Sequence, residues 1–172
     1  MLDALKKKFG NQITGSSPAG VIDPWIEVAP EALPAVCLHL RDEKTLRFNY
    51  LNCISGVDYL ELDPKKAAKV DWKPHTEVVY HLWSLVHGHS LVLKVILPRW
   101  KNDVEGELPE VPTVSHIWPT ADWHEREVYD LSGVRFLGHP NMRRILCPED
   151  WEGHPLRKDY EMPLEYHGIR GK

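Results

Sequence analysis

The carboxylates of Glu125-Arg126-Glu127 are the first residues whose types and spacing suggest chemistry. Two carboxylates converging on one substrate atom would make a general acid and base. Neighbours on a helix are about 100° apart, so Glu125 and Glu127 diverge by about 200° and cannot easily share that atom. The same stretch sets Asp130 four residues from Arg126 and three from Glu127, a charged helix face suited to an arginine-bearing partner. A structural or docking role therefore outranks acid-base catalysis.

Ten histidines invite a metal site, with His87-Gly88-His89, or His139 with His154, as the candidates. Their spacing is not that of a known ligand motif: the first pair falls at a hairpin tip and the two His-Pro pairs fall in turns. Cys37, Cys53 and Cys147 are an odd, widely spaced set, giving neither a disulfide framework nor a Cys-x-x-Cys knuckle. Three thiolates cannot hold a cubane iron-sulfur cluster, which wants four. Neither common Gly-rich phosphate loop is present, and no Ser or Cys carries a nucleophile signature.

With 172 residues, 42% of them apolar and 27% charged, the chain reads as one folded domain, or one domain and an arm. A net charge of -4 supplies no global positive field, which argues against nucleic acid as a partner. The amino terminus has neither the apolar stretch of a secretory signal nor the arginines of a transit peptide. The most apolar run, Leu91 to Leu97, is broken by Lys94 and falls far short of the roughly 20 residues of a spanning helix. Any membrane contact is expected only through partners.

The elements that must position these residues follow from periodicity. Leu2, Leu5 and Phe9 make one face of a short first helix, and Gly15 to Gly20 reads as a flexible turn. Val21 to Val28 and Leu46 to Tyr50 read as strands. Between them Ala32, Leu33, Val36, Cys37 and Leu40 recur at helical spacing, with Pro34 tolerable only in the first turn. Gly56-Val57-Asp58-Tyr59 reads as a turn, and Pro64 to Pro74 as a surface connection. Thr76 to Val86 and Ser90 to Leu97, joined by His87-Gly88-His89, give the strongest hairpin signal, placed at the centre of a sheet covered by helices. Lys101 to Pro112 reads as a loop. A helical region then starts near Thr113 or Ser115, and Thr120 can cap a second segment whose apolar side is Trp123, Val128 and Leu131, stopped by Gly133.

From Gly138 to Lys172 the periodicity disappears, prolines recur, and six basic residues balance six acidic ones. Such a segment is either disordered or an arm that orders against something else. Trp151, Leu156, Tyr160 and Tyr166 favour the arm. Trp83 and Trp100 read as core or sheet-edge residues, whereas Trp118, Trp123 and Trp151 border the charged helix and the arm, where an amphipathic ring suits an interface. The expected fold class is α+β: a mixed sheet with helices packed on it over residues 1–137, then an extended, Pro-rich docking arm over 138–172.

The run Ala121-Asp122-Trp123-His124-Glu125-Arg126-Glu127-Val128-Tyr129-Asp130-Leu131-Ser132-Gly133-Val134 is followed by Gly138-His139-Pro140, Arg143-Arg144-Ile145-Leu146 and Trp151 to Tyr160. Together they closely resemble the C-subunit family of proton-pumping NADH:quinone oxidoreductase, respiratory complex I. Gly56-Val57-Asp58-Tyr59 and Tyr80-His81-Leu82 are weaker matches. Ser132 stands where relatives commonly have a large aromatic, Thr120 where glycine is usual and Cys147 where an aliphatic is frequent.

The resemblance implies a non-catalytic peripheral-arm subunit in a hetero-oligomer, on the cytoplasmic side of the cell membrane. It would pack on the quinone-site subunit and near the small cluster-bearing subunit. No cofactor is expected in this chain, with FMN, iron-sulfur clusters and quinone expected in partner subunits. Docking is expected through Trp123, Glu125, Arg126, Glu127, Tyr129 and Asp130 on the helix, and His139, Pro140, Arg143 and Arg144 beyond it. Trp151, Pro155, Leu156, Arg157, Lys158, Asp159 and Tyr160 would carry the contact along the arm. Alternatives are the matching subunit of a membrane-bound hydrogenase or ferredoxin-linked complex, and a standalone His-based metalloenzyme.

Overall fold

A computed structural model describes residues 1–171. In chain order the elements are α1 (Leu2–Phe9), β1 (Ile13–Ser16), β2 (Trp25–Val28), α2 (Leu33–Asp42), β3 (Tyr50–Tyr59), α3 (Pro64–Ala67), β4 (His75–Ser84), β5 (His89–Leu97), β6 (Glu110–Pro112), α4 (Ala121–Ser132), β7 (Arg135–Leu137), β8 (Glu165–Tyr166) and β9 (Ile169–Arg170). The first five strands form one mixed sheet in the order β1-β2-β5-β4-β3, in which only β2 and β5 run parallel. The fold class is the α+β class expected from the sequence, with the β4–β5 hairpin inside the sheet.

Strand period decides which face is buried. Val78, Tyr80 and Leu82 stand opposite Val95, Leu93 and Leu91, and all six are buried. Ile54 and Gly56 of β3 continue that face, and α2 and α4 cover it with Leu33, Val36, Cys37, Leu40, Ala121 and Val128. Pro34 lies in the first turn of α2, where a missing N–H costs nothing. Glu77, His81, Trp83 and Lys94 line the opposite face, where Lys94 bonds Glu77 at 3.0 Å and stands over the Trp25 ring.

Several boundaries differ from the sequence reading. The turn expected at Gly56-Val57-Asp58-Tyr59 is the end of β3, paired with β4 out to His75. Its glycine serves close approach, not a turn: a Cβ there would meet the Ser132 Oγ at 2.6 Å and Cβ at 2.7 Å. The strand expected over Leu46 to Tyr50 begins only at Tyr50, after Arg47 adopts φ 47°. Residues 13–16, half of them expected in a turn, form the edge strand β1, and the next strand starts at Trp25 instead of Val21.

Around α4 the chain makes a strand-helix-strand unit, since β6 and β7 pair in parallel on either side of it. Trp118 belongs to the core, 3% exposed with its indole N–H donated to the Phe48 carbonyl at 3.0 Å, not to an interface. Trp123 points outward at 63% exposure, so the buried side of α4 is built from Ala121, Glu125, Val128 and Ser132 instead of the expected Trp123 stripe.

Candidate functional site: the α4 face and the carboxy-terminal arm

Three clusters of carboxylates organise the segment flagged by the sequence and what it contacts. Glu125, in the second turn of α4, is fully buried. Its carboxylate accepts the Val114 amide at 2.7 Å and the Thr113 hydroxyl, while His139 Nε2 lies 4.0 Å away and donates instead to the Asp122 carbonyl at 3.1 Å. Burial pushes the Glu125 pKa up to about 7, against the pull of the Thr113 and Val114 donors and with a further push from Asp122. That value suits acid-base work, yet both oxygens are taken by protein donors and none of the carboxylate reaches solvent. Glu127 is exposed, so the two glutamates diverge as the helix period requires.

Asp130, one turn further on, is the hub of the arm's root. One of its oxygens accepts the amides of Ile145, Leu146 and Cys147 at 2.7 to 2.9 Å, and the other accepts Arg144 at 2.7 Å. Arg144 also donates to the main-chain carbonyls of Asp130 and Gly153, and His154 Nδ1 lies 2.9 Å from the Asp130 carbonyl. Burial alone would raise the Asp130 pKa, but the amides of Leu146 and Cys147, the Arg144 guanidinium and the Ile145 amide overcome it and hold it down at about 2. The arginine suited to this helix face is thus the chain's own. Arg126, expected beside Asp130, stands 3.7 Å from Asp122 and stacks on Trp123 at 4.7 Å.

A third cluster ties the arm to the sheet. Arg99 makes a two-pronged bond to Asp58 at 2.6 and 2.8 Å and reaches Asp159 at 2.9 Å. Lys158 donates its amide to Asp58 at 2.9 Å. Arg157, 6% exposed, lies over the Trp100 ring at 3.6 Å and donates to the Arg99 carbonyl and to Asp159. Burial pushes the Asp58 and Asp159 pKa values up, and the arginines, with the Lys158 amide on Asp58, bring both below the usual carboxylate value.

The arm is therefore ordered by its own domain down to Tyr160, where the sequence reading expects order only against a partner. Its anchors are polar, which hydrophobic periodicity does not register. The Leu156 amide adds a bond to the Leu131 carbonyl at 2.8 Å. Gly133 makes room for the root: with φ 72°, it ends α4, and a Cβ there would meet the His154 ring at 2.7 Å. Beyond Pro163 the chain does form regular structure, a β8–β9 hairpin whose turn residues His167 and Gly168 both have positive φ, as a two-residue hairpin turn demands. Lys172, the last residue of the 138–172 segment, lies outside the described residues.

Of the predicted docking residues, Glu125, Asp130, His139, Arg144, Arg157 and Asp159 are thus committed within the chain. Tyr129, Trp151, Pro155 and Tyr160 are half-buried, while Trp123, Glu127, Pro140, Arg143, Leu156 and Lys158 face outward. Leu146, Leu156, Leu164 and Ile169 expose 61%, 60%, 80% and 74% of their surface, four outward apolar side chains along the arm. Asp58, Arg99, Trp100 and Thr113 join the site without having been expected there. The weaker family resemblance of Gly56-Val57-Asp58-Tyr59 is the signal in the sequence that touches Asp58, and no period or motif marks Arg99.

The histidines considered for metal each face a main-chain carbonyl: His87 that of Lys44, His89 that of Leu46, His139 that of Asp122 and His154 that of Asp130. Among the described residues no group of three or more His, Cys, Asp and Glu is arranged to hold a metal ion. No described helix is long and apolar enough to cross a membrane.

The family described as respiratory-chain NADH dehydrogenase, 30 Kd subunit, matches residues 26–166. Proteins named as the C subunit of NADH-quinone oxidoreductase are similar along nearly the whole chain. The one from Chloroherpeton thalassium is 40% identical over 96% of this chain, which spans 62% of that relative's length. The one from Chlorobium phaeobacteroides is 39% identical over 98% of this chain and 91% of its own. In fold, the chain resembles a subunit in the structure of the membrane-bound sulfane sulfur reductase, an archaeal respiratory membrane complex, with a TM-score of 0.67 at 24% identity over 94% of this chain and 84% of that one. The chain belongs to the 30 kDa subunit family of respiratory-chain NADH dehydrogenase, a family of subunits of a multi-subunit respiratory complex.

Proposed function

We propose that this chain is the C subunit of an NADH:quinone oxidoreductase, a non-catalytic peripheral-arm subunit that docks on the quinone-site subunit and contacts the small cluster-bearing subunit. The assembly transfers electrons from NADH to quinone coupled to proton translocation, with FMN, clusters and quinone held by the partners. In a bacterial cell the chain lies on the cytoplasmic side of the membrane and touches it only through the complex. One observation carries this reading. Asp130 and Asp58 are consumed in bonds that brace the arm and Glu125 in bonds to Thr113 and Val114, while the arm turns Leu146, Leu156, Leu164 and Ile169 to solvent. Burial of such side chains against a partner is worth about 1.5–3 kcal/mol each before association costs.

Order in the free arm changes how docking works. Because the arm is ordered beforehand, binding does not have to supply most of its conformational entropy, and a preorganised surface binds more tightly than a disordered tail of the same composition. Arg143 and Lys158 remain outward for acidic groups on the partner, whereas Arg144 and Arg157 act by holding the arm's shape. The test is affinity purification of the tagged full chain from solubilised membranes, alongside the same chain purified alone. Recovery of the quinone-site and cluster-bearing subunits, with no visible chromophore and no NADH oxidation by the chain alone, is the expected result. A stoichiometric chromophore in the isolated chain, or recovery without those two subunits, overturns the reading.

A further inference from the structure

Arg126, the one arginine of α4, is 4% exposed, yet it lacks the acceptors that such burial calls for. Its Nη1 stands 3.7 Å from Asp122, too far for a hydrogen bond, and none of its three nitrogens bonds an acceptor among the described residues. Nε alone is closed to solvent. Nη1 and Nη2, the far edge of the guanidinium, stay open to it. Arg99, Arg144 and Arg157, by contrast, each bond carboxylates or carbonyls of their own chain. Desolvated guanidinium donors seldom go without such partners, because each orphan costs free energy. What surrounds Arg126 is apolar and outward. Trp123 lies over the guanidinium at 4.7 Å and exposes 63% of its own surface. Tyr129, three residues on and so on the same side of the helix, lines a hollow of about 300 Å³ with Phe136, Leu137 and Met142. Arg135, exposed and without an ion pair among the described residues, lines it too.

We propose that this side of α4 receives an acidic residue of a neighbouring subunit, an aspartate or glutamate whose carboxylate takes Nη1 and Nη2 of Arg126 together. An apolar neighbour of that residue enters the hollow beside Tyr129. The far edge of a guanidinium offers two parallel N–H bonds, and a carboxylate has two oxygens at matching separation. Asp122 does not use that edge, since it approaches Nη1 only at 3.7 Å. Arg135 adds a second positive charge at the same rim, so the field here favours an acid although the chain as a whole carries a net charge of -4. A basic segment or a metal ion would meet only cations and donors. Burial of Trp123 under the same partner keeps water from the ion pair, and tryptophan beside arginine is the combination on which binding energy concentrates. The guanidinium is already positioned by its stack on Trp123, so little side-chain freedom remains to be lost on docking.

This proposal deepens the docking function above and rests on it, and its test keeps the two apart. In the membrane-bound complex, Arg126→Met is compared with the wild-type chain and with the arm variant Leu156→Asp, Leu164→Asp, Ile169→Asp. Methionine keeps an apolar stem and removes a guanidinium that makes no hydrogen bond among the described residues, so the thermal midpoint of the purified variant should stay within a few degrees of the wild type. Arg126→Lys, which keeps the charge and loses the fork, serves if the methionine variant does not fold. The expected result is incorporation of Arg126→Met into the complex weakened about ten-fold, with a shallower salt dependence than the wild-type chain shows. Arg126→Lys should be weakened as well, because a single ammonium cannot make the paired bonds. A lowered midpoint with incorporation of the folded chain and its salt dependence unchanged would make Arg126 a purely structural residue and overturn the proposal. Incorporation and salt dependence unchanged in both Arg126 variants, while the arm variant fails to assemble, would overturn it too and leave the docking function standing. Normal assembly of the Arg126 variants and the arm variant alike would overturn both.

Discussion

Arg144 donates through one guanidinium nitrogen to both the carboxylate and the main-chain carbonyl of Asp130, at 2.7 and 3.0 Å. The helix and the segment that follows it are thereby locked together, and three consecutive amides on the other carboxylate oxygen complete the lock. Asp130→Ala should cost about 3–5 kcal/mol, because it strands a half-buried arginine and three amides at once. Hydrogen exchange should report the loss first at residues 144–156, with β4 and β5 still protected.

Acid should release the same lock. The Asp130 pKa is depressed from 3.8 to about 2, so its contribution is fully present above pH 3.8 and is lost as the pH falls through about 2. Asp58 and Asp159 are depressed too and act in the same direction. Proteolytic susceptibility of the arm should rise over this range in the wild type, and Asp130→Asn should make the arm susceptible at neutral pH.

Glu125 has the opposite sign. Its pKa is raised from 4.5 to about 7, so its contribution is fully present below pH 4.5 and is lost as the pH rises through 7, by about 3 kcal/mol. Burial lowers the pKa of His154 and His39, and these work the other way, being lost as the pH falls from 6.5. The difference between denaturation curves of Glu125→Gln and the wild type isolates the glutamate, and should grow in favour of the variant from pH 4.5 to 7. A constant difference would contradict the assignment.

Gly56 and Ser132 should be coupled. Gly56→Ala places a methyl 2.7 Å from the Ser132 Cβ and 3.1 Å from Val128 Cγ1, an overpacking expected to cost about 1–3 kcal/mol. Part of that loss should return in the double variant with Ser132→Gly, as a double-mutant cycle in denaturant would show.

Much of this organisation is legible in the sequence where a period or a turn residue expresses it. The β4–β5 hairpin, α2 with its early proline and the end of α4 at Gly133 follow from alternation, helical spacing and left-handed glycine. The site is harder. Trp123 and Trp118 differ from the roles their positions suggest, since an indole is apolar enough for the core and polar enough for the surface, and spacing cannot choose. The arm's order rests on Asp130, Asp58, Arg99 and Arg157, in contacts such as that of Arg157 with Arg99, 58 residues away. Polar contacts at that separation leave no periodic trace, so a segment rich in proline and charge reads as dependent on a partner when its own domain holds it.

Strand pairing accounts for the other omission. Gly56 to Tyr59 has turn composition, yet its backbone pairs with β4 residue by residue to His75. A long neighbour of strong β character overrides weak local preference, which is the usual way tertiary context defeats propensity.

The most direct measurement of the central claim, that the braced arm is a docking surface, is incorporation of Leu156→Asp, Leu164→Asp, Ile169→Asp into the membrane-bound complex. All three side chains are at least 60% exposed, so the purified variant should keep the wild-type thermal midpoint within a few degrees. The account predicts that this folded variant fails to co-purify with the quinone-site subunit and that NADH:quinone activity of the membranes falls with it. Wild-type incorporation and activity in the presence of three charges on the arm would contradict it.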